Sequence, residues 1–280
     1  MADIPDLTGR VAIVTRADSG PGLATTHRLA VNGARVVMAC SDLGTAESAK
    51  RQVLGTTGVA DERLEAWALD LTDQLSIDLF VGKLLRTCDR LDLLINDTGA
   101  RSGSPQRPVP GVEPSVGVLH LGHMALTLGL LPLLVGTRGS RVVTVADQGR
   151  RLGPPRGLRG TGSVAVLFAV ELARRLAAAG QGTLSLAAAP GSTQLRSWAR
   201  GAVDTARTTL RAATDPDAAS GLVYAPGPLG RSCPVPRGPR LRAKDRRAAV
   251  TFWRRSLRML SQDEPPQLLP RPLAVVPFSI

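Results

Sequence analysis

Cysteine, histidine, lysine and tyrosine are all scarce in this chain of 280 residues, and each scarcity narrows what the protein can be. Cys40, Cys88 and Cys233 are far apart, odd in number and in no Cys-x-x-Cys or Cys/His cluster. Neither a disulfide framework nor a metal site is therefore expected, and a reducing, cytoplasmic setting is. No heptad or Gly-x-x period runs through the sequence, which excludes coiled-coil and collagen architectures. No targeting segment is expected either, because Met1 to Asp6 is polar and acidic and leads directly into a strand-like run. The longest uncharged stretch, Val118 to Thr137, has about the length of a membrane span, but it carries His120, His123, Pro132 and three glycines. It reads as a buried or interface helix, and no transmembrane segment is expected.

What is present is apolar bulk and arginine. Hydrophobic residues make up 43% of the chain, enough for one sizeable core and too many for long disorder. The formal charge of +12 is unevenly placed: residues 1–99 carry a net −4, and residues 100–280 a net +16. The excess peaks between Arg231 and Arg258, where ten basic residues face only Asp245 and Phe252 and Trp253 are interspersed. Such a stripe could hold phosphates or an anionic surface. The simpler reading is a solvated arm and helix face, so neither nucleic acid nor an anionic surface is expected as a partner.

Short β-rich runs alternate with helical patterns along most of the chain. Strands are expected at Val11 to Thr15, Arg35 to Ala39, Leu64 to Leu69, Leu91 to Asn96, Arg141 to Ala146, Thr183 to Ala188 and Gly221 to Ala225. Helices are expected at about Gly20 to Asn32, Gly44 to Leu54, Asp73 to Leu85, Val116 to Leu134, Val164 to Ala179 and Ala202 to Ala213. This alternation predicts βαβ units and a parallel sheet covered on both faces, a doubly wound α/β fold in a single domain over residues 1–230. Residues 231–280 read as a basic loop, a last helix to about Leu260 and a loosely held tail from Pro265.

The first βα turn carries the most informative motif, Thr15-Arg16-Ala17-Asp18-Ser19-Gly20-Pro21-Gly22-Leu23-Ala24. A dinucleotide site needs glycines here so that backbone can approach the pyrophosphate at a helix N-terminus, where free N–H groups and the helix dipole favour anions. Gly20 and Gly22 meet that need, and Pro21 suits a first helical turn. Taken alone, such a turn is also compatible with a plain tight connection.

From Thr8 to Lys50 the runs LTGRVAIVT, SGPGLAT and NGARVVMACSDLGTAES resemble the N-terminal half of the short-chain dehydrogenase/reductase family, nearest its retinol-dehydrogenase-like branch. Further matches follow in order: Leu69-Asp70-Leu71, LDLLINDTG at 91–99, HLGH at 120–123, SRVVTV at 140–145, FAVELARRL at 168–176, and Pro190-Gly191. The resemblance implies a Rossmann-type, seven-stranded sheet and a nicotinamide cofactor that exchanges hydride with a carbonyl or alcohol. It places Ser19, Gly20, Gly22, Asp70, Leu71, Asn96 and Gly99 at cofactor-binding positions. It also implies that Cys40-Ser41-Asp42 stands where the branch has Cys-Arg-Asp, which favours NAD over NADP.

The same resemblance exposes departures. The first glycine of the family's turn is Arg16 here, where a positive φ is costly. Weakened NAD or NADP binding is expected, although an outward Arg16 could instead clamp phosphate. The family's catalytic asparagine, serine, tyrosine and lysine fall at Leu119, Asp147, Leu158 and Gly162. The only tyrosine is Tyr224 and the only lysines are Lys50, Lys83 and Lys244, so no shift of register restores the pair. Three readings stay open: an inactive scaffold, an oxidoreductase with altered chemistry, and a polyanion-binding module. For altered chemistry, His120 and His123 with Asp147 are the candidates for a base or metal site, and Cys40 the candidate nucleophile. In relatives the helices corresponding to Leu126 to Leu134 and Val164 to Leu176 often form dimer contacts, so the resemblance allows a homo- or hetero-oligomer, but the same apolar stripes would serve equally as core against the sheet and the oligomeric state stays open.

Overall fold

The computed structural model describes residues 4–97, 114–146, 164–189, 198–227, 234–239 and 246–269. Its centre is an eight-stranded sheet of order β3-β2-β1-β4-β5-β6-β7-β8. The strands are β1 (Val11–Thr15), β2 (Arg35–Cys40), β3 (Leu64–Ala68), β4 (Leu93–Asn96), β5 (Arg141–Val145), β6 (Leu184–Ala188), β7 (Val223–Ala225) and β8 (Val235–Arg237). All pairs are parallel except β7 with β8, where Tyr224 stands opposite Pro236. The helices are α1 (Gly20–Val31), α2 (Leu43–Thr57), α3 (Gln74–Thr87), α4 (Pro114–Gly129), α5 (Leu131–Gly136), α6 (Val164–Ala178), α7 (Trp198–Thr214) and α8 (Arg246–Met259).

Strands buried on both faces read as apolar runs because side chains alternate between two covered layers. Ala12, Val14, Val36, Met38, Leu93 and Ile95 point into one core with α1, α2 and α7. Ile13, Val37, Leu94 and Val142 point into the other, beneath α3, α4, α5, α6 and α8. Consecutive strand residues thus serve opposite cores. The order of strands reverses direction between β1 and β4, and a sheet of this kind offers its crevice there, outside the carboxyl ends of the strands.

Several expectations are corrected. The stretch read as one helix from Val116 to Leu134 is two, because Pro132 sits in the first turn of α5 and has no N–H to continue α4. The sheet has eight strands rather than seven: β8 lies inside the segment read as a loop, at an antiparallel edge where Pro236 is tolerated. The strand expected from Gly221 begins only at Val223. The segment from Pro265 opens with a short 3-10 turn, Pro266–Leu268, whose Leu268 is buried in the core beside α5 and α6.

The helix α8 is not simply a solvated face. Ala249, Phe252, Trp253, Ser256 and Leu257 are buried. Trp253 stacks on Phe168 of α6 with ring centroids 5.9 Å apart, its Nε1 donates to Glu264 Oε2 at 3.3 Å, and the Arg175 guanidinium lies over it. Arg175 also pairs with Glu171 and Glu264, tying α6 to the chain beyond α8. The apolar residues of α4, α5 and α6 that carried the dimer expectation, among them Leu126, Leu131, Leu134 and Phe168, are buried within this same core.

Candidate functional site: the carboxyl edge of the sheet

Thr15 ends β1 and its hydroxyl is the hub of the crevice floor. It accepts the Asp97 N–H at 2.8 Å, lies 3.1 Å from the Asp97 carbonyl oxygen and stands 3.0 Å from His123 Nε2. Thr15, Asp97 and His123 are all buried, so this network binds β1, β4 and α4 into one rigid base. Asn96 adds a second tie, its Nδ2 donating to Thr127 Oγ1 of α4 at 3.0 Å. Close approach between α4 and the turn after β3 depends on Gly122, because a Cβ there would fall on the Leu71 carbonyl oxygen.

The turn after Thr15 keeps the course that glycine would give it. Arg16 has φ +52, one of two non-glycine residues with positive φ among the described residues. Its N–H donates to the Ala39 carbonyl oxygen at 2.8 Å, which fixes the turn against β2. The Arg16 carbonyl oxygen presses on Gly22, where a Cβ would collide with it. Gly20 has φ +54 and open space where its side chain would be. Ser19 caps α1 with extended backbone and no side-chain hydrogen bond to the helix. The turn therefore leaves room above Gly20 and backbone donors at the helix start, while Arg16 carries the conformational cost, about 1–2 kcal/mol for an L-residue in the left-handed region.

The remaining expected cofactor positions divide. Asp70 lies at the end of β3 with its carboxylate Oδ1 taking the Thr72 N–H at 2.8 Å, an Asx turn that holds the loop leading to α3. Leu71 is partly buried beside it against the core. Asp42 caps α2 by accepting the Thr45 N–H at 2.6 Å, which lowers its pKa, so the turn after β2 is shaped by a carboxylate. Gly99, Asp147, Leu158, Gly162, Pro190, Gly191, Cys233 and Lys244 lie outside the described residues. Leu119 lies within α4, next to His120.

Of the candidates for replacement chemistry, the three among the described residues, His120, His123 and Cys40, turn to different partners. His120 Nε2 meets Ser256 Oγ of α8 at 2.9 Å, and its ring packs on Phe168 and Phe252 with centroids 5.6 and 4.6 Å away. Burial, with a smaller push from His123, drives its pKa down to about 3, so the ring is neutral. His123 turns instead to Thr15. Cys40 is buried at the end of β2, and burial pushes its thiol up to about 12 despite backbone hydrogen bonds from Ala17 and Asp18. It is an inert packed thiol rather than a nucleophile. Among the described residues no group of three or more His, Cys, Asp or Glu side chains is placed to hold a metal ion. No helix among them is long and apolar enough to cross a membrane.

Tyr224, the single tyrosine, is fully buried in β7 and donates to Asp215 Oδ2 at 3.0 Å. Burial and that carboxylate push its phenol up to about 12. Lys50 pairs with Asp61 at 3.0 Å and Lys83 lies 3.6 Å from the centre of the Trp67 ring, both engaged on outer helices. The Thr15 hub with His123 and Asp97 escaped the sequence reading. The HLGH run was its signal, but neither partner is adjacent to His123 in sequence.

Residues 10–156 match the family described as short chain dehydrogenase. A short chain dehydrogenase/reductase, dpchH, of Colletotrichum higginsianum is 34% identical over 68% of this chain and 56% of its own. Retinol dehydrogenase 11 of Mus musculus is 37% identical over 64% of this chain and 61% of its own. The matches thus span well under two thirds of these relatives' own length. Among solved structures, an uncharacterised protein of Mycobacterium paratuberculosis has TM-score 0.75 and 32% identity, covering 94% of this chain and 98% of that one. A metagenomic short-chain oxidoreductase solved in complex with NADP, 20% identical, shares the fold with TM-score 0.57 over 77% of this chain and 95% of its own. Sheet order, phosphate turn and these likenesses agree: the chain belongs to the short-chain dehydrogenase/reductase family, in its retinol-dehydrogenase-like branch.

Proposed function

We propose that this protein is a catalytically inactive dehydrogenase scaffold with weakened dinucleotide affinity, acting through association with other proteins rather than by hydride transfer. The observation that carries this reading is the state of Tyr224. In the family's pattern a tyrosine beside a lysine moves the proton to or from the substrate oxygen as general acid/base. Here the one phenol of the chain is sealed in the sheet and bonded to a carboxylate that keeps it protonated. Lys50 and Lys83 are held on other helices, and Leu119, Leu158 and Gly162 have no proton to give. Asp147, at the serine position, would repel a developing alkoxide rather than stabilise it.

The family's nicotinamide dinucleotide supplies the hydride when it is bound. The turn fits its phosphates in part: open space stands at Gly20, Ser19 begins the helix with no side-chain cap, Gly22 makes room for the Arg16 carbonyl, and the resemblance gives Asp70 the role of hydrogen-bonding the adenine. Arg16 is the discordant residue, since a strained arginine replaces the glycine beneath the phosphates. Cys40-Ser41-Asp42, capped by a carboxylate and lacking an arginine, favours whatever affinity remains toward NAD over NADP.

The test is a thermal-shift and calorimetric titration with NAD(H) and NADP(H) at moderate salt, followed by turnover assays with retinaldehyde and simple carbonyls. The expected result is a cooperative melt, little or no stabilisation by either dinucleotide, and no hydride transfer. Saturable binding with NAD(P)H consumption that Asp147→Ala abolishes would overturn the reading in favour of altered oxidoreductase chemistry.

A further inference from the structure

We propose that the outward face of α8 docks on an anionic phospholipid surface. The helix is amphipathic in an unusual sense, because its apolar side is spent on the protein's own core. With 3.6 residues per turn, Arg247, Arg254 and Arg258 fall in one narrow line, about opposite the buried Ala249, Phe252 and Ser256. Arg246 and Arg255 flank that line, and all five arginines are exposed. The line from Arg247 to Arg258 is about 16 Å long at 1.5 Å per residue. No acidic residue occurs on α8. Asp245 precedes it in sequence, and of the two acids that follow it closely, Glu264 is turned inward to Arg175 and Trp253 while Asp263 is exposed.

The geometry selects the kind of partner. A helix whose buried face, Ala249 to Leu257, is packed into the core presents a low, straight ridge of charge rather than a free rod, and such a ridge cannot sink into a duplex groove about 12 Å wide and 8.5 Å deep. A single-stranded nucleic acid needs aromatic platforms for its bases, and the aromatics of α8 are turned into the core. A plane of phosphate headgroups asks for neither. Arginine suits it because its planar guanidinium bonds phosphate oxygens in pairs. With Phe252 and Trp253 committed to the interior, contact is by charge alone, without insertion, and is therefore reversible by salt.

The test is co-sedimentation of the full chain with vesicles of phosphatidylcholine alone and of phosphatidylcholine with about one third phosphatidylserine. Binding is expected to the second and not to the first, and to fade as salt rises. The triple variant Arg247→Gln/Arg254→Gln/Arg258→Gln should bind roughly 100-fold more weakly. A control variant, Arg51→Gln/Arg86→Gln/Arg138→Gln, loses the same charge at exposed positions elsewhere and should bind nearly as the parent does. Both variants should melt like the parent, since every replaced side chain is exposed. Equal weakening by the two variants would reduce the effect to overall charge and overturn the proposal. So would absence of binding at low salt, or tighter binding to duplex DNA or a homopolymeric RNA than to the acidic vesicles.

Discussion

The half of the molecule built on β1 to β4 and the half built on β5 to β8 have kept different things. In the first, the crevice retains its geometry: Thr15 joins Asp97 and His123, Gly22 accommodates the Arg16 carbonyl, and Arg16 itself adopts a glycine-like φ of +52. In the second, the phenol and imidazole of the described residues that could carry a proton are turned into the core. Tyr224 is a core residue and α8 seals α6 through Trp253, Phe252 and His120. The difference teaches that the shape of the crevice and its reactivity rest on separate residues. Shape depends on carbonyls, glycines and buried hydroxyls that fold stability enforces. On the proposed reading, reactivity rests instead on a few side chains at the rim.

Four perturbations test that division, beginning with the strongest. Trp253→Ala removes a fully buried indole stacked on Phe168 and should cost about 3–5 kcal/mol, measured by denaturant unfolding. A loss under about 1 kcal/mol would mean that α8 is not part of the second half's core. Acid should act next through His120. Its folded pKa near 3 lies below the ordinary value of 6.5, so the unfolded chain binds the extra proton between these pH values. Stability should therefore fall as pH drops from 6.5 toward 3, by on the order of a few kcal/mol, and His120→Phe should flatten the slope. An unchanged slope in that variant would place the acid sensitivity elsewhere.

Gly22→Ala drives a methyl onto the Arg16 carbonyl and should cost about 1–3 kcal/mol, with the turn displaced. A neutral result would show that the first half does not hold its turn as tightly as described. The smallest effect is expected from Arg16→Gly. Relief of about 1–2 kcal/mol of left-handed strain is offset by about 0.5–1 kcal/mol of glycine's unfolded-state freedom. A net gain of about 1 kcal/mol or less should accompany tighter dinucleotide binding, read by calorimetry. Gain in stability without gain in affinity would separate Arg16 from the phosphate site.

The strands of the sheet could be read from the sequence because βαβ alternation is a local pattern, as in VAIVT and RVVMAC. The positive φ of Arg16 was also legible, because the turn demands it regardless of the residue present. What stayed hidden depends on distant partners. The strand β8 contains a proline and has no apolar alternation, so only the exposed edge of β7 makes Val235–Arg237 a strand. The buried Leu268 sits in a proline-rich segment that looks solvated until α5 and α6 are placed around it. The pairing of His120 with Ser256 spans 136 residues, and nothing local in either segment announces it.

The central claim, a dehydrogenase fold without dehydrogenase chemistry, is tested most directly by single-turnover hydride transfer. The purified chain at high concentration would be mixed with NADH or NADPH and an excess of retinaldehyde or a small carbonyl, and loss of the reduced nicotinamide followed. The account predicts a rate no different from that without protein, and no change on Asp147→Ala. Protein-dependent oxidation of the nicotinamide, matched by alcohol formed and lost in that variant, would contradict it.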